Sequence, residues 1–193
     1  MTRFLLAASV IALVAAGCSK PNTPPAAPVA ASSVPDANPA ATIPTSANEA
    51  AAPDFVAKAA AGDMFEVASS KLALKRSTNA DIKAFAHMMI EAHTKSTAAL
   101  KKAIADSGQA LTPPAALPQD KQDALDALVK ADAKDFDKQY IDAQVGGHQA
   151  ALDLMTRYAK DGDVAQIKAF AADVAPVVQM HLDKAKEIQG SLK

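Results

Sequence analysis

Three histidines in this chain fall where helical periodicity otherwise places apolar residues. His93 continues the series Ile82, Phe85/Ala86 and Met89 and leads on to Leu100. His148 lies on the line Ile141–Val145–Leu152–Met155, and His181 follows Val174 and Val177/Val178. Spacings of three and four put each set on one helix face, so three separate helices each aim an imidazole at the interior. The fourth histidine, His87, falls on a polar face with Glu91 and Thr94 and reads as exposed. Two chemistries follow from buried imidazoles. Each bonds a neighbouring hydroxyl, carboxylate or carbonyl and fixes helix register, or the three share a transition metal, with Zn, Cu, Ni and Fe all suited to imidazole. Glu66, on a face of small residues (Ala59, Gly62, Ser69, Ala73), is the candidate fourth ligand or orienting group.

Other chemistry is excluded by residue type. A ferritin-type di-iron centre needs Glu-x-x-His on two helices, and the residues three before the histidines are Ile90, Val145 and Val178. No Gly-rich phosphate loop, Gly-x-Ser-x-Gly elbow or His-Glu-x-x-His occurs. Met88, Met89, Met155 and Met180 recur at helical spacing and read as core filler. No catalytic residue is assigned, and an enzyme is not the favoured reading.

The elements that must position these groups are helical from Asp54 onward. A first helix spans about 54–77, and Asn79 is placed to cap a second that carries His93. The stretch 106–118, with Gly108 and three prolines, is a long connection. A third helix begins near Gln119, with a break expected around 131–134, and carries His148. Asp161-Gly162-Asp163 closes it, and a fourth carries His181, with a kink expected at Pro176. Short turns within each helix pair and a long link between them describe two antiparallel hairpins joined by a crossover. The expected fold is all-α, a ferritin-like four-helix bundle, with a plain up-down bundle as the alternative. "IKAFA" opens the second helix of each hairpin, at 82–86 and 167–171, and suggests internal pseudo-symmetry. Counted from their turns, Glu66, His93, His148 and His181 fall within roughly 10 Å along the bundle axis, at about 1.5 Å per residue.

The N-terminal part sets the compartment. Arg3 and the apolar run Phe4–Ala16 have the form of a secretory signal over 1–17. Ala15-Ala16-Gly17-Cys18 is what lipoprotein signal peptidase reads, with Ala15 where Leu is usual. Cys18 is the expected lipidation site, and the membrane the expected partner through that anchor. Ser19 fits sorting to the outer membrane of a Gram-negative envelope. Cys18 is also the only cysteine, which excludes a disulfide framework and any thiolate metal site. Eight of the twelve prolines lie in 19–53 among Ala, Ser, Thr and Asn, so 18–53 is expected to be a disordered tether, ahead of a domain over 54–189 and a tail at 190–193. Twenty basic and 21 acidic residues are interspersed, with no tryptophan and no basic stripe, so nucleic acid is not an expected partner. Lys71, Lys75 and Arg76 read as a solvated face.

Three segments carry a family resemblance: "FAHMMIEAHTK" at 85–95, "FDKQYIDAQVGGHQAAL" at 136–152 and "IKAFAADVAPVVQMHL" at 167–182. With Glu66, they resemble the domain of unknown function 4142 family, secreted bacterial proteins with a ferritin-like four-helix fold. Members often carry an acidic residue directly before the helix 2 histidine, where this chain has Ala92, with Glu91 one place earlier. The resemblance implies compartment and fold and no activity. The favoured reading is a non-catalytic envelope lipoprotein that binds a partner or contributes to stress tolerance. The alternative is a metal-binding or metal-dependent protein using the inward histidines and Glu66.

Overall fold

The computed structural model describes residues 50–192. The expected signal peptide, Cys18 and the tether up to residue 49 lie outside the described residues, as does residue 193. Five helices follow one another: α1 (Ala52–Arg76), α2 (Ala80–Ser107), α3 (Gln119–Lys130), α4 (Ala133–Asp161) and α5 (Ala165–Ser191). Among the described residues there is no strand, and no helix is long and apolar enough to cross a membrane.

Local chemistry explains the boundaries. Pro53 sits in the first turn of α1, where its missing N–H leaves no helical bond unmade. Asn79 Oδ1 accepts from the backbone N–H groups of Asp81 and Ile82 and starts α2. Gly108, at φ 66°, takes the left-handed conformation that ends it. The break expected near 131–134 is complete: Ala131 and Asp132 are both extended, so the third expected helix is two helices. α5 runs on as helix through Pro176, which faces solvent.

The four long helices form a closed ring. α1 packs on α2 and α4, and α5 packs on α4 and α2. A plain up-down bundle would instead set α2 against α4, so that alternative is excluded. The two ends of the bundle have separate cores. Phe55 and Val56 of α1, Leu100 of α2, Met155 and Tyr158 of α4 and Phe170 of α5 make one, in which the Phe55 and Tyr158 rings stack 4.1 Å apart. Ala73, Ile82, Phe85, Tyr140, Ile141 and Ile188 belong to the other. The α1–α2 turn and the α4–α5 turn therefore lie at opposite ends. α2 finishes at the end where α4 also finishes, so the 108–132 connection must travel the length of the bundle.

α3 makes that journey against α1 and α4. Arg76 holds it there, donating to the carbonyls of Leu128, Val129 and Ala131 at 2.7, 2.8 and 2.5 Å and lying over the Phe136 ring at 4.6 Å. These are the orphan carbonyls of a helix C-terminus, where a cation is favoured. The expectation that Arg76 merely faces water is thus corrected. At the opposite end, Asp163 Oδ1 accepts from the Ala52 N–H at 2.9 Å and the Tyr158 hydroxyl at 2.8 Å, tying the α4–α5 turn to the start of α1.

Candidate metal centre at mid-bundle

Between the two cores the helices carry polar side chains inward. α1 supplies Asp63 and Glu66, α2 His93, α4 Gln144 and His148, and α5 His181. His148 and His181 are 1% and 2% exposed, and Asp63 and Glu66 are 6% and 5% exposed. The three expected histidines converge. Their ring centroids are 5.6 Å (His93–His148), 5.8 Å (His93–His181) and 5.5 Å (His148–His181) apart. One ring nitrogen from each lies within 4.8 Å of those of the other two. Nitrogens bound at 2.0–2.1 Å to one tetrahedral ion stand about 3.3 Å apart, so modest ring movement closes the set.

Two of the rings are fixed from outside. His148 Nδ1 is 2.8 Å from the Gln144 carbonyl oxygen, an acceptor only, so Nδ1 carries the proton. His93 Nδ1 is 2.8 Å from Asp63 Oδ1, and the other Asp63 oxygen accepts from the Thr97 hydroxyl at 3.0 Å. These are the contacts that orient metal-ligating histidines: the outer N–H is held and the inner lone pair is presented. The inner atoms have no protein partner. Buried and unbonded are His93 Nε2, His148 Nε2, His181 Nδ1 and one oxygen of Glu66. Leaving such groups unsatisfied costs about 1–3 kcal/mol each.

The electrostatics differ among the three. Burial alone would push the His93 imidazolium down, but the Asp63 hydrogen bond and the charges of Glu66 and Asp63 outweigh it and raise its pKa. His148 is lowered, by burial first and then by His93, against the opposing pull of Glu66. His181, with no carboxylate of its own, is pushed down to about 3 by burial and by the His148 and His93 charges. Neutral imidazoles are what a metal binds.

Glu66 stands beside this triad rather than within it. Its charge acts on His93 and His148, and its Oε1 lies 3.2 Å from where a side chain on Gly147 would begin. Gly147 sits in mid-helix, where glycine disfavours the helix, and the room it leaves is occupied by this carboxylate. His87 is exposed, as its polar face predicts. Asp63 was not anticipated from the sequence. The available signal was its spacing, since Ala59, Asp63, Glu66 and Ser70 share the buried stripe of α1. Met89 and Met155 are core residues, but Met180 and Val177 are 54% and 41% exposed, against expectation.

The arrangement has a family. The model of the domain of unknown function DUF4142 matches residues 37–188. This chain belongs to the DUF4142 family. The match takes in α1 to α4 and the His181 turn of α5, so all six inward polar side chains lie within the family domain. No curated protein matches, and no solved structure does.

Proposed function

We propose that this DUF4142 protein is a lipid-anchored envelope protein whose ferritin-like bundle binds one transition-metal ion on His93, His148 and His181. One observation carries the metal reading. The buried ring nitrogens without protein partners belong to three imidazoles that face one another, while the outer nitrogens of two of them are held by Asp63 and Gln144. A packing role would instead give each inner nitrogen a local hydrogen-bond partner, a donor where the nitrogen presents its lone pair. Three neutral nitrogen donors favour Zn, Cu, Ni or Fe over oxygen-seeking Mg or Ca. Glu66 adds a carboxylate at the edge of the site, as a further ligand or as the charge that offsets the ion's.

The ferritin-like description rests on the helix ring and on the long connection through α3. The envelope assignment rests on Ala15-Ala16-Gly17-Cys18 and the cationic, apolar run before it. The reading is a binding role, because the sequence carries no recognisable catalytic motif.

Equilibrium dialysis of the protein, expressed without a polyhistidine tag, against zinc should give one ion per chain, and chelator should lower its melting temperature. A metal-free protein whose melting ignores chelator would return the histidines to a packing role. The anchor has its own test: Cys18→Ser should abolish acyl labelling and membrane fractionation, and unchanged labelling would remove it.

A further inference from the structure

The three imidazoles form part of the wall of a cavity of about 1000 Å³, at the upper end of the size that encloses a small-molecule ligand. Its lining is graded. On the buried side stand Asp63, Glu66 and the histidines. Away from them the wall is largely apolar, with Ala99 of α2, Ala151 and Leu154 of α4, and Val174 and Val178 of α5, and it also carries Ser96 and Asp120. Val177 and Met180 carry this apolar surface out to solvent, and they are two of the three large exposed hydrophobic residues among the described ones. Lys58, Lys95, Lys121 and Arg157 also border the cavity; Lys58 and Lys95 are each paired with a carboxylate on their own helix, Asp54 at 2.8 Å and Glu91 at 2.6 Å, and Lys121 lies over the Phe65 ring at 5.4 Å. The donor set left without partners lies at the histidines, and the apolar lining reaches solvent at Val177 and Met180.

We propose that the cavity binds a straight-chain aliphatic amphiphile with an anionic oxygen head, the head completing the metal's coordination and the chain lying along the Ala99–Ala151–Val178 wall. This rests on the metal reading above. With Glu66 beside the site as a partly offsetting charge and not as a ligand, three neutral imidazoles leave a divalent ion at least one coordination position, which an anionic oxygen suits. The Ala99, Ala151, Leu154, Val174 and Val178 side chains offer no hydrogen bond, so the part of the ligand that lies along them is hydrocarbon. The exposed Val177 and Met180 suit a tail that emerges from the opening.

The test uses n-alkyl hydroxamates on the zinc-loaded full-length protein, with zinc stoichiometry measured in the same samples. Calorimetry should show affinity rising about fourfold per methylene from acetohydroxamate to octanohydroxamate. Removing zinc should weaken the octyl probe at least tenfold. Ala151→Leu and Ala99→Leu, which fill the aliphatic end, should weaken the octyl probe and leave acetohydroxamate unchanged. Equal affinity along the series in protein that holds zinc would overturn the chain site while the metal reading stands. Equal affinity for the octyl probe with and without zinc would overturn the head-to-metal orientation. Absence of bound zinc, seen directly in the stoichiometry, would remove the metal reading and this inference with it.

Discussion

Asp63 and His93 meet across the α1–α2 interface at 2.8 Å, both largely out of water, with Asp63's second oxygen taken by Thr97. The carboxylate fixes which nitrogen of His93 carries a proton and so which one faces His148 and His181. Removing it should loosen the site without removing a ligand. Asp63→Ala is expected to weaken zinc binding by about 10–100-fold. Asp63→Asn, which keeps an acceptor and loses the charge, should fall between it and wild type. Competition with a chelating dye measures both, and equal affinities in all three proteins would contradict the orienting role.

The asymmetry between Gly146 and Gly147 gives a second test. A methyl group on Gly146 meets nothing within 4 Å, whereas one on Gly147 lands 3.2 Å from Glu66 Oε1. Both substitutions relieve the helix cost of glycine. Gly146→Ala should therefore raise stability by roughly 0.5–1 kcal/mol and leave metal affinity alone. Gly147→Ala should gain less and should lower metal affinity by displacing the carboxylate. Denaturant melts and zinc titrations of the pair separate the two effects.

The histidines that were legible in the sequence were legible because each interrupts an apolar stripe on its own helix. Asp63 was not, because its reason for being buried is His93, thirty residues away on another helix. Arg76 looked like surface for the same reason: the carbonyls it holds belong to α3, more than fifty residues on. The heights of the four groups came out right for an incomplete reason. Their distances from the two turns agree although those turns lie at opposite ends of the bundle, because each group sits near the middle of its helix. Val177 was assigned inward with Val178, yet it lies at the edge of the α5 stripe and is 41% exposed while Val178 is buried.

The pH dependence of the metal-free protein follows from the three shifts. His181, lowered to about 3, and His148, also lowered, bind protons less readily folded than unfolded. Their contribution is present above the unfolded value near 6.5 and is lost as pH falls below it. His93 is raised; its contribution is complete below the unfolded value and is lost as pH rises through the folded one. The stability of wild type minus that of His181→Ala should accordingly decrease as pH falls from 6.5 toward 3. A difference that stays constant across that range would contradict the account of His181.

The most direct measurement compares bound metal across four alanine variants. His93, His148 and His181 each offer a nitrogen within 4.8 Å of the others, and His87 lies exposed on the polar face of α2. After dialysis against equimolar zinc and removal of free ion, wild type and His87→Ala should each retain one zinc per chain. His93→Ala, His148→Ala and His181→Ala should each retain far less, and each should lose the chelator-sensitive part of its melting temperature. One zinc per chain in all three core variants, or none in wild type, would contradict the central claim that this bundle holds a metal on three histidines.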